Sequence, residues 1–217
     1  MERVLEPELM DDEQQSVAYA RADFSTSNQF FVDGVVRDFP THLVDIVDVG
    51  CGPGDIPIRL ARAAAQATIT ALDGSAPMIV LARQAVRAAG LETRIRLMQT
   101  RVPGPPPRQH AYDAVLSKDL LHHLPDPSVL WREVVRLGRR GAAVFVMDLM
   151  RPATTEAAHA IVDAVAAGEH PILREDFYRS LCAAFTVNEI QNQLTVAGLN
   201  LQVAQVSERH MLIKGLI

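Results

Sequence analysis

Short apolar runs alternate with amphipathic stretches through the middle of the chain. Runs rich in β-forming residues lie at 43–49, 68–72, 95–98, 112–116 and 142–147. The last of these runs is nearly all apolar, which is typical of a strand buried on both faces of a sheet. Strands that alternate with helical stretches in this way predict βαβ units and a parallel sheet.

The predicted helices between these strands are bounded by capping residues and glycines. They extend from the glycine-rich turn to about 66, over 77–89, and from 126 to 138. Ser75 is placed to cap the second of these helices, and Gly90 is placed to end it. A proline-rich loop is expected at 103–107.

Both flanks of this alternation have a different pattern. Residues 11–39 carry an apolar stripe at helical spacing that includes Tyr19 and Phe24. Beyond the fifth strand the pattern predicts helices at 153–167, 173–185 and 186–198 and closing strands at 201–206 and 211–213. Thr186 and Glu189 form a capping box that opens the last helix.

Composition and charge narrow the class of protein. The chain has 217 residues, of which 48% are hydrophobic and 22% charged, as expected of one globular domain. A net charge of −5 disfavours a protein that grips nucleic acid. Cys51 and Cys182 form neither a disulfide framework nor a zinc site. No secretory leader or membrane-spanning run is apparent, so we expect a cytoplasmic protein.

The most informative segment is a glycine-rich turn, Gly50-Cys51-Gly52-Pro53-Gly54, directly after the first predicted strand. Glycines let a backbone approach a ligand closely, and the following helix offers unpaired N–H groups. The G-x-G-x-G spacing does not meet the dinucleotide fingerprint. Asp73, at the end of the second strand, could accept both hydroxyls of a ribose. Its alternative role is that of an ordinary turn aspartate.

Residues 43–149 resemble a known family. The matching pieces are VDVGCGPG at 47–54, ALDGSAPM at 71–78 and YDAVLSKDLLHHLPDP at 112–127. They resemble class I S-adenosylmethionine-dependent methyltransferases of the ubiquinone and menaquinone biosynthesis type. The resemblance implies an α/β, Rossmann-like fold with a seven-stranded, mostly parallel sheet, one antiparallel strand, and helices on both faces.

The resemblance also implies a single methyltransferase domain made of four parts. Residues 1–40 would form an N-terminal helical lid, and 41–150 would form the cofactor-binding core. Residues 151–180 would form a helical cap insert, followed by a C-terminal helix and strand pair at 181–217. The implied reaction moves a methyl group from S-adenosylmethionine to a small molecule and releases S-adenosylhomocysteine.

The implied cofactor contacts follow the matching motifs. They fall on Gly50, Cys51, Gly52, Asp73, Gly74, Met78, Arg101, Val102, Ser117 and Lys118. The turn would line the methionine and ribose, Asp73 would hold the ribose hydroxyls, and Ser117 and Lys118 would contact the methionine. Gly74 and Met78 would flank the adenine. Asp48 would orient the turn or a water rather than touch the ligand.

One position departs from the family pattern. Where the family often shows Gly-Asp-Ala after the third strand, this chain has Thr100-Arg101-Val102. Arginine cannot accept a hydrogen bond. The adenine amino group would therefore bind a backbone carbonyl or another side chain.

Candidate catalytic residues lie where the fourth and fifth strands end. His122 is a candidate general base, and the alternative role for this side chain is local hydrogen bonding. Asp148 is a second candidate catalytic residue, and Arg151 could orient a polar substrate. An ion pair at the strand exit is the alternative for both.

Aromatic residues from two segments could cover the same cleft. Tyr19, Phe24, Phe177 and Tyr178, with His123, are candidate lid or substrate residues, and core packing is their alternative. His210 is expected to be structural. No spacing of His, Asp and Glu resembles a metal site, and we predict none.

The function predicted from the sequence is methyl transfer to O, N, S or C of a small molecule. An alternative is a non-catalytic S-adenosylmethionine-binding module, and a weaker one is RNA or protein methylation. The chain lacks the Asn/Asp-Pro-Pro-Tyr/Phe motif of exocyclic-amine methyltransferases and has Ser117-Lys118-Asp119-Leu120 there. We therefore expect a small-molecule substrate and no nucleic acid, and the oligomeric state stays open.

Overall fold

A computed structural model describes residues 1–6, 11–105 and 108–217. Residues 7–10 of the predicted N-terminal lid lie outside the described residues, as do Pro106 and Pro107 of the predicted proline-rich loop. Among the described residues, no helix is long and apolar enough to cross a membrane.

The described residues form one seven-stranded sheet in the order β3-β2-β1-β4-β5-β7-β6. The strands are β1 Asp45–Val49, β2 Thr68–Asp73, β3 Ile95–Gln99, β4 Tyr112–Lys118, β5 Gly138–Leu149, β6 Gln202–Gln205 and β7 His210–Leu216. The first five are parallel, and β7 runs antiparallel to both neighbours. The predicted fold class is confirmed. The strand order reverses between β1 and β4, which is where open α/β sheets form a ligand crevice.

Helices cover both faces of the sheet. They are α1 Glu13–Arg21, α2 Ser25–Asp38, α3 Asp55–Ala63, α4 Ala76–Ala88, α5 Ser128–Leu137, α6 Thr155–Val165, α7 Pro171–Ala183 and α8 Val187–Ala197. Phe31, Leu60 and Ile79 bury one face under α2, α3 and α4. Trp131 and Ile190 bury the other under α5 and α8. Helices α6 and α7 pack in a separate apolar cluster.

The predicted helical region at 11–39 is two helices rather than one. Helix α1 ends at Arg21, and Asp23 Oδ1 accepts a hydrogen bond from the backbone N–H of Ser25 at 2.9 Å to open α2. The break turns Phe24 onto Tyr19, with ring centroids 4.7 Å apart. The continuous apolar stripe hides this break, because only three residues separate the two helices.

Other boundaries also differ in detail. Helix α3 ends at Ala63 rather than near 66, and β5 begins at Gly138 rather than 142. The capping predictions are confirmed: Ser75 Oγ accepts from the backbone N–H of Met78 at 3.4 Å. The capping box of Thr186 and Glu189 is also present.

The first residues of the chain lie across the edge of the sheet where β4 and β5 end. Arg3 donates hydrogen bonds to the carbonyls of His122, Leu124 and Ala183 at 2.9, 3.0 and 2.5 Å. Its guanidinium also lies 3.9 Å from the ring centroid of Phe185. These contacts bring Glu6 beside His122.

Candidate active site

The glycine-rich turn adopts a backbone that side chains disfavour. Gly50, Gly52 and Gly54 have φ angles of 82°, 51° and 90°, in the left-handed region. A Cβ on Gly50 would lie 3.0 Å from the Cβ of Leu120, so a side chain there is excluded by contact as well as by φ. The backbone N–H groups of Gly50 and Cys51 both donate to the Leu72 carbonyl, at 2.8 and 2.9 Å. The turn is therefore held against the end of β2.

Asp73 ties this turn to the end of β2. Its Oδ2 accepts from the Gly52 N–H and its Oδ1 from the Ser75 N–H, both at 2.8 Å. Burial raises the pKa of the Asp73 carboxyl, and these N–H groups counter that rise. The turn role weighed as its alternative is thus present. Each oxygen keeps a second lone pair, so ribose binding stays a prediction.

Two cavities meet at the carboxyl ends of β1 and β4. A narrow one of about 100 Å³ runs beside the glycine-rich turn, and a larger one of about 590 Å³ lies under α1, α2 and α7. Tyr19, Asp119 and His123 line both cavities. Residues on the narrow side include Gly50, Gly52, Asp73, Gly74, Met78, Arg101, Val102 and Lys118. Most of the predicted cofactor residues are therefore brought together there.

Asp119 is a functional candidate that the sequence reasoning missed. It has a φ of 55°, uncommon for a residue other than glycine, and its N–H donates to the Met147 carbonyl at 2.9 Å. Lys118 Nζ donates to Oδ2, whereas the buried Oδ1 accepts no hydrogen bond from the described residues. Burial opposes the charge of this carboxyl, but Lys118 nonetheless holds its pKa below the ordinary value. Its place directly after β4, at the strand-order reversal, was the available signal.

His122 is fixed by a buried carboxylate. Its Nδ1 lies 2.6 Å from Asp148 Oδ1, and Asp148 Oδ2 accepts from the backbone N–H of Leu121 at 2.7 Å. Burial disfavours the imidazolium, but Asp148 still raises the pKa of His122. His122 lines the larger cavity, whereas Asp148 is not among its described lining residues. Asp148 thus acts on His122 rather than on a ligand in that cavity.

Glu6 and His123 complete this cluster. Glu6 Oε1 lies 3.5 Å from His122 Nε2 and 3.1 Å from His123 Nδ1. Burial raises the pKa of the Glu6 carboxyl. Sequence spacing gave no sign of Glu6, because the contact joins distant parts of the chain.

The larger cavity is mainly apolar. Phe24, Phe30, Leu149, Leu173 and Phe177 are among its walls. His210, expected to be structural, also lines it, and burial lowers its pKa to about 4, so the ring is neutral near pH 7.

The side chains of three predicted site residues make contacts outside the two cavities. Tyr178 stacks on His159 with centroids 4.3 Å apart, and Phe177 faces the cavity instead. Arg151 donates to the Ala184 carbonyl at 2.9 Å and to Glu189 at 2.6 Å, which is the ion pair weighed as its alternative. Ser117 Oγ donates to the Val49 carbonyl at 2.8 Å and joins β4 to β1. None of the three is among the described residues that line the two cavities.

Two further predicted cofactor residues lie at the margins. Cys51 is buried and lines a side cavity of about 190 Å³ that Tyr19 and Asp119 also border. The Arg101 side chain is 64% exposed and lies 4.0 Å from Asp11. Arg101 therefore forms an outer wall of the narrow cavity.

Comparison with known proteins finds a methyltransferase match over the middle of the chain. Residues 46–142 match the model of a methyltransferase domain. The ubiquinone biosynthesis O-methyltransferase of Xanthomonas oryzae pv. oryzae (strain PXO99A) is 32% identical over 109 residues, covering 49% of this chain and 43% of that protein. The chain thus spans less than half the length of this curated relative.

Solved structures show the same fold over nearly the whole chain. A SAM-dependent methyltransferase from Aquifex aeolicus matches with a TM-score of 0.73 and 17% identity, covering 95% of this chain and 98% of that one. An S-adenosyl-L-methionine-dependent methyltransferase described as putative, from Methanococcus maripaludis, matches with a TM-score of 0.75 and 20% identity, covering 97% and 95%. Residues 46–142 thus match a methyltransferase domain in sequence, and the chain has the fold of these solved structures.

Proposed function

We propose that this protein transfers a methyl group from S-adenosylmethionine to a hydroxyl of a small, partly apolar molecule. The observation that carries the proposal is the meeting of the two cavities at Tyr19 and Asp119. A cofactor beside the glycine-rich turn and an acceptor in the larger cavity would face each other there. Methyl transfer needs such an alignment of nucleophile, methyl and sulfur.

The residues of the narrow cavity fit the cofactor. A Cβ on Gly52 would meet no atom within 4 Å, so its absence leaves that volume to a ligand. Asp73 would hold the ribose, Met78 and Val102 would flank the adenine, and Lys118 would lie near the methionine. When bound, the sulfonium supplies the electrophilic methyl group.

The larger cavity fits the acceptor. Its apolar walls exclude water from the reacting atoms, and Phe177 and Phe24 would contact an apolar ring or chain. His122, fixed by Asp148, would face the reacting hydroxyl. The oxygen acceptor is inferred from the activity named for the O-methyltransferase relative, and a metabolite rather than a nucleic acid suits the net charge of −5. We keep a cytoplasmic location as part of the proposal.

The test is transfer of a labelled methyl group to a panel of hydroxylated aromatic and aliphatic compounds, with RNA and protein as parallel acceptors. Methylation of at least one small compound is expected. Saturable cofactor binding without transfer to any acceptor would favour the binding-module alternative, and transfer only to RNA or protein would overturn the small-molecule assignment.

A pair of neighbouring variants tests the acceptor site. Phe177→Trp narrows the larger cavity, so we expect at least a tenfold loss in kcat/KM for the acceptor with unchanged cofactor affinity. Tyr178→Phe, whose ring packs against His159, is the matched control and should retain both values. Equal effects of the two changes would contradict the assignment.

A further inference from the structure

Three metal-ligating side chains converge behind the larger cavity. Glu6, His122 and His123 each offer one ligand atom, and these atoms all lie within 4.8 Å of one another. The side chains of Glu6 and His122 are 7% and 2% exposed, and that of His123 is 19% exposed. Two imidazoles and one carboxylate form a donor set that suits zinc and related divalent transition metals.

The spacing of the three ligand atoms is compatible with a tetrahedral metal site. Ligands about 2.0–2.1 Å from a tetrahedral zinc ion lie about 3.3 Å from each other. The carboxylate oxygen of Glu6 lies 3.5 Å from one ring nitrogen and 3.1 Å from the other. Although buried, this oxygen accepts no hydrogen bond of ordinary geometry from the described residues.

The surroundings of the three ligand atoms also suit a cation. Asp148 contacts Nδ1 of His122, which leaves Nε2 directed at Glu6. Many metal-bound histidines are oriented in this way by a carboxylate on the other ring nitrogen. Ser180 donates to Glu6 Oε2 at 3.2 Å. Oδ2 of Asp176 is buried without a hydrogen-bond partner among the described residues, and its charge acts on Glu6. Buried carboxylates close together repel each other unless a cation lies between them.

We propose that Glu6 Oε1, His122 Nε2 and His123 Nδ1 bind one divalent transition metal ion of the zinc class. Both histidines line the larger cavity, so a fourth ligand can reach the ion from there. That ligand would be a water molecule or the acceptor hydroxyl. Only this last assignment rests on the proposed function.

The test uses the full-length chain without an affinity tag and without cofactor. Co²⁺ is added and its visible absorption is recorded, because tetrahedral Co²⁺ absorbs far more strongly than the hydrated ion. We expect one equivalent to bind saturably and to be displaced by Zn²⁺. Glu6→Gln should weaken binding at least tenfold, and His123→Ala at least a hundredfold.

Two matched controls lie outside the cluster. Glu175→Gln removes a surface carboxylate on α7, and His159→Ala removes an exposed imidazole on α6. Both should bind Co²⁺ like the parent chain. Since His122→Ala removes a fully buried ring and its partner for Asp148, folding of that variant is checked by circular dichroism, and the conclusion depends on Glu6→Gln and His123→Ala.

The outcomes separate this inference from the proposed function. No saturable tetrahedral Co²⁺ signal, or a signal that both cluster variants leave unchanged, overturns the metal site and leaves the cluster as ion pairs. Such a result alongside methyl transfer by the metal-free chain would leave the proposed function intact. Co²⁺ binding by a chain that transfers no methyl group would support the metal site and remove only the proposed acceptor ligand.

Discussion

At the scale of single residues, the site is built from carboxylates that the fold buries beside backbone N–H groups or cations. Asp73 and Asp148 each accept a backbone hydrogen bond that fixes a neighbouring segment. Asp119 pairs with Lys118. Asp48 differs, since its buried Oδ2 has no hydrogen-bond partner among the described residues.

Removal of the Asp73 carboxylate should weaken cofactor binding. Asp73→Ala loses the proposed ribose contact and the hydrogen bond from Gly52 that shapes the turn. Cofactor binding should therefore become weaker by about 1–3 kcal/mol. Calorimetric titration with S-adenosylhomocysteine measures it. Asp163→Ala, a change at a 70% exposed carboxylate, is the control. Unchanged affinity in the Asp73 variant would refute its role.

The buried carboxyl of Asp48 should make stability fall as pH rises. Burial and the nearby Asp73 raise its pKa from 3.8 to about 7, so between these values the folded chain holds a proton that the unfolded chain has lost. Stability from this group is complete below pH 3.8 and is lost as pH approaches 7. Asp48→Asn lacks this pH-dependent loss. The difference in unfolding free energy between the variant and the parent should therefore increase by on the order of 2 kcal/mol, in favour of the variant, from pH 5 to pH 8.

Urea denaturation at the two pH values measures this difference. The exposed Glu208→Gln change serves as the control and should follow the parent at both pH values. If the unfolding free energies of Asp48→Asn and the parent change equally between the two pH values, the Asp48 carboxyl is not protonated in the folded chain.

At the scale of elements, the break between α1 and α2 lines the larger cavity, and the N-terminal segment of residues 1–6 contacts α7 beside it. Residues 1–6 reach the short 3₁₀ helix at Leu121–His123, and the backbone N–H of Val4 donates to the Cys182 carbonyl on α7 at 3.1 Å. The segment therefore connects α7 to the end of β4. Arg3 contributes three hydrogen bonds to this connection.

Removal of the Arg3 side chain should destabilise this connection. Arg3→Ala leaves three backbone carbonyls without their donor and removes a cation–π contact with Phe185. We expect unfolding free energy to fall by about 1–3 kcal/mol. Arg132→Ala is the control, because Arg132 forms an ion pair whose side chains are 62% and 59% exposed. It should lower the unfolding free energy by less than about 1 kcal/mol. Chemical denaturation compares them, and equal losses would contradict the role of Arg3.

The sequence predicts some elements better than others, for physical reasons. The parallel strands are visible in the sequence because buried strands carry runs of apolar residues, as at residues 142–147 of β5. The break at Asp23 is not visible in the sequence, since three residues between two helices do not disturb the apolar stripe. Glu6 and Arg3 could not be placed near His122, because their contacts depend on tertiary structure alone.

At the scale of the whole molecule, the strand order explains where the site lies. The reversal between β1 and β4 opens a crevice at their carboxyl ends, and the glycine-rich turn and Asp119 are the residues that follow those two strands. Motifs at these strand ends predicted most of the narrow cavity. Of the two neighbouring aromatic residues predicted there, Phe177 faces the larger cavity and Tyr178 does not, because neighbours on a helix point in different directions.

The central claim is that the cofactor and the acceptor meet where the two cavities join. A crystal structure of the chain with S-adenosylhomocysteine tests this most directly. We predict the adenosine beside Asp73 and Met78, with the sulfur facing the larger cavity between Tyr19 and Asp119. A ligand bound elsewhere, or a sulfur directed away from that cavity, would contradict the account.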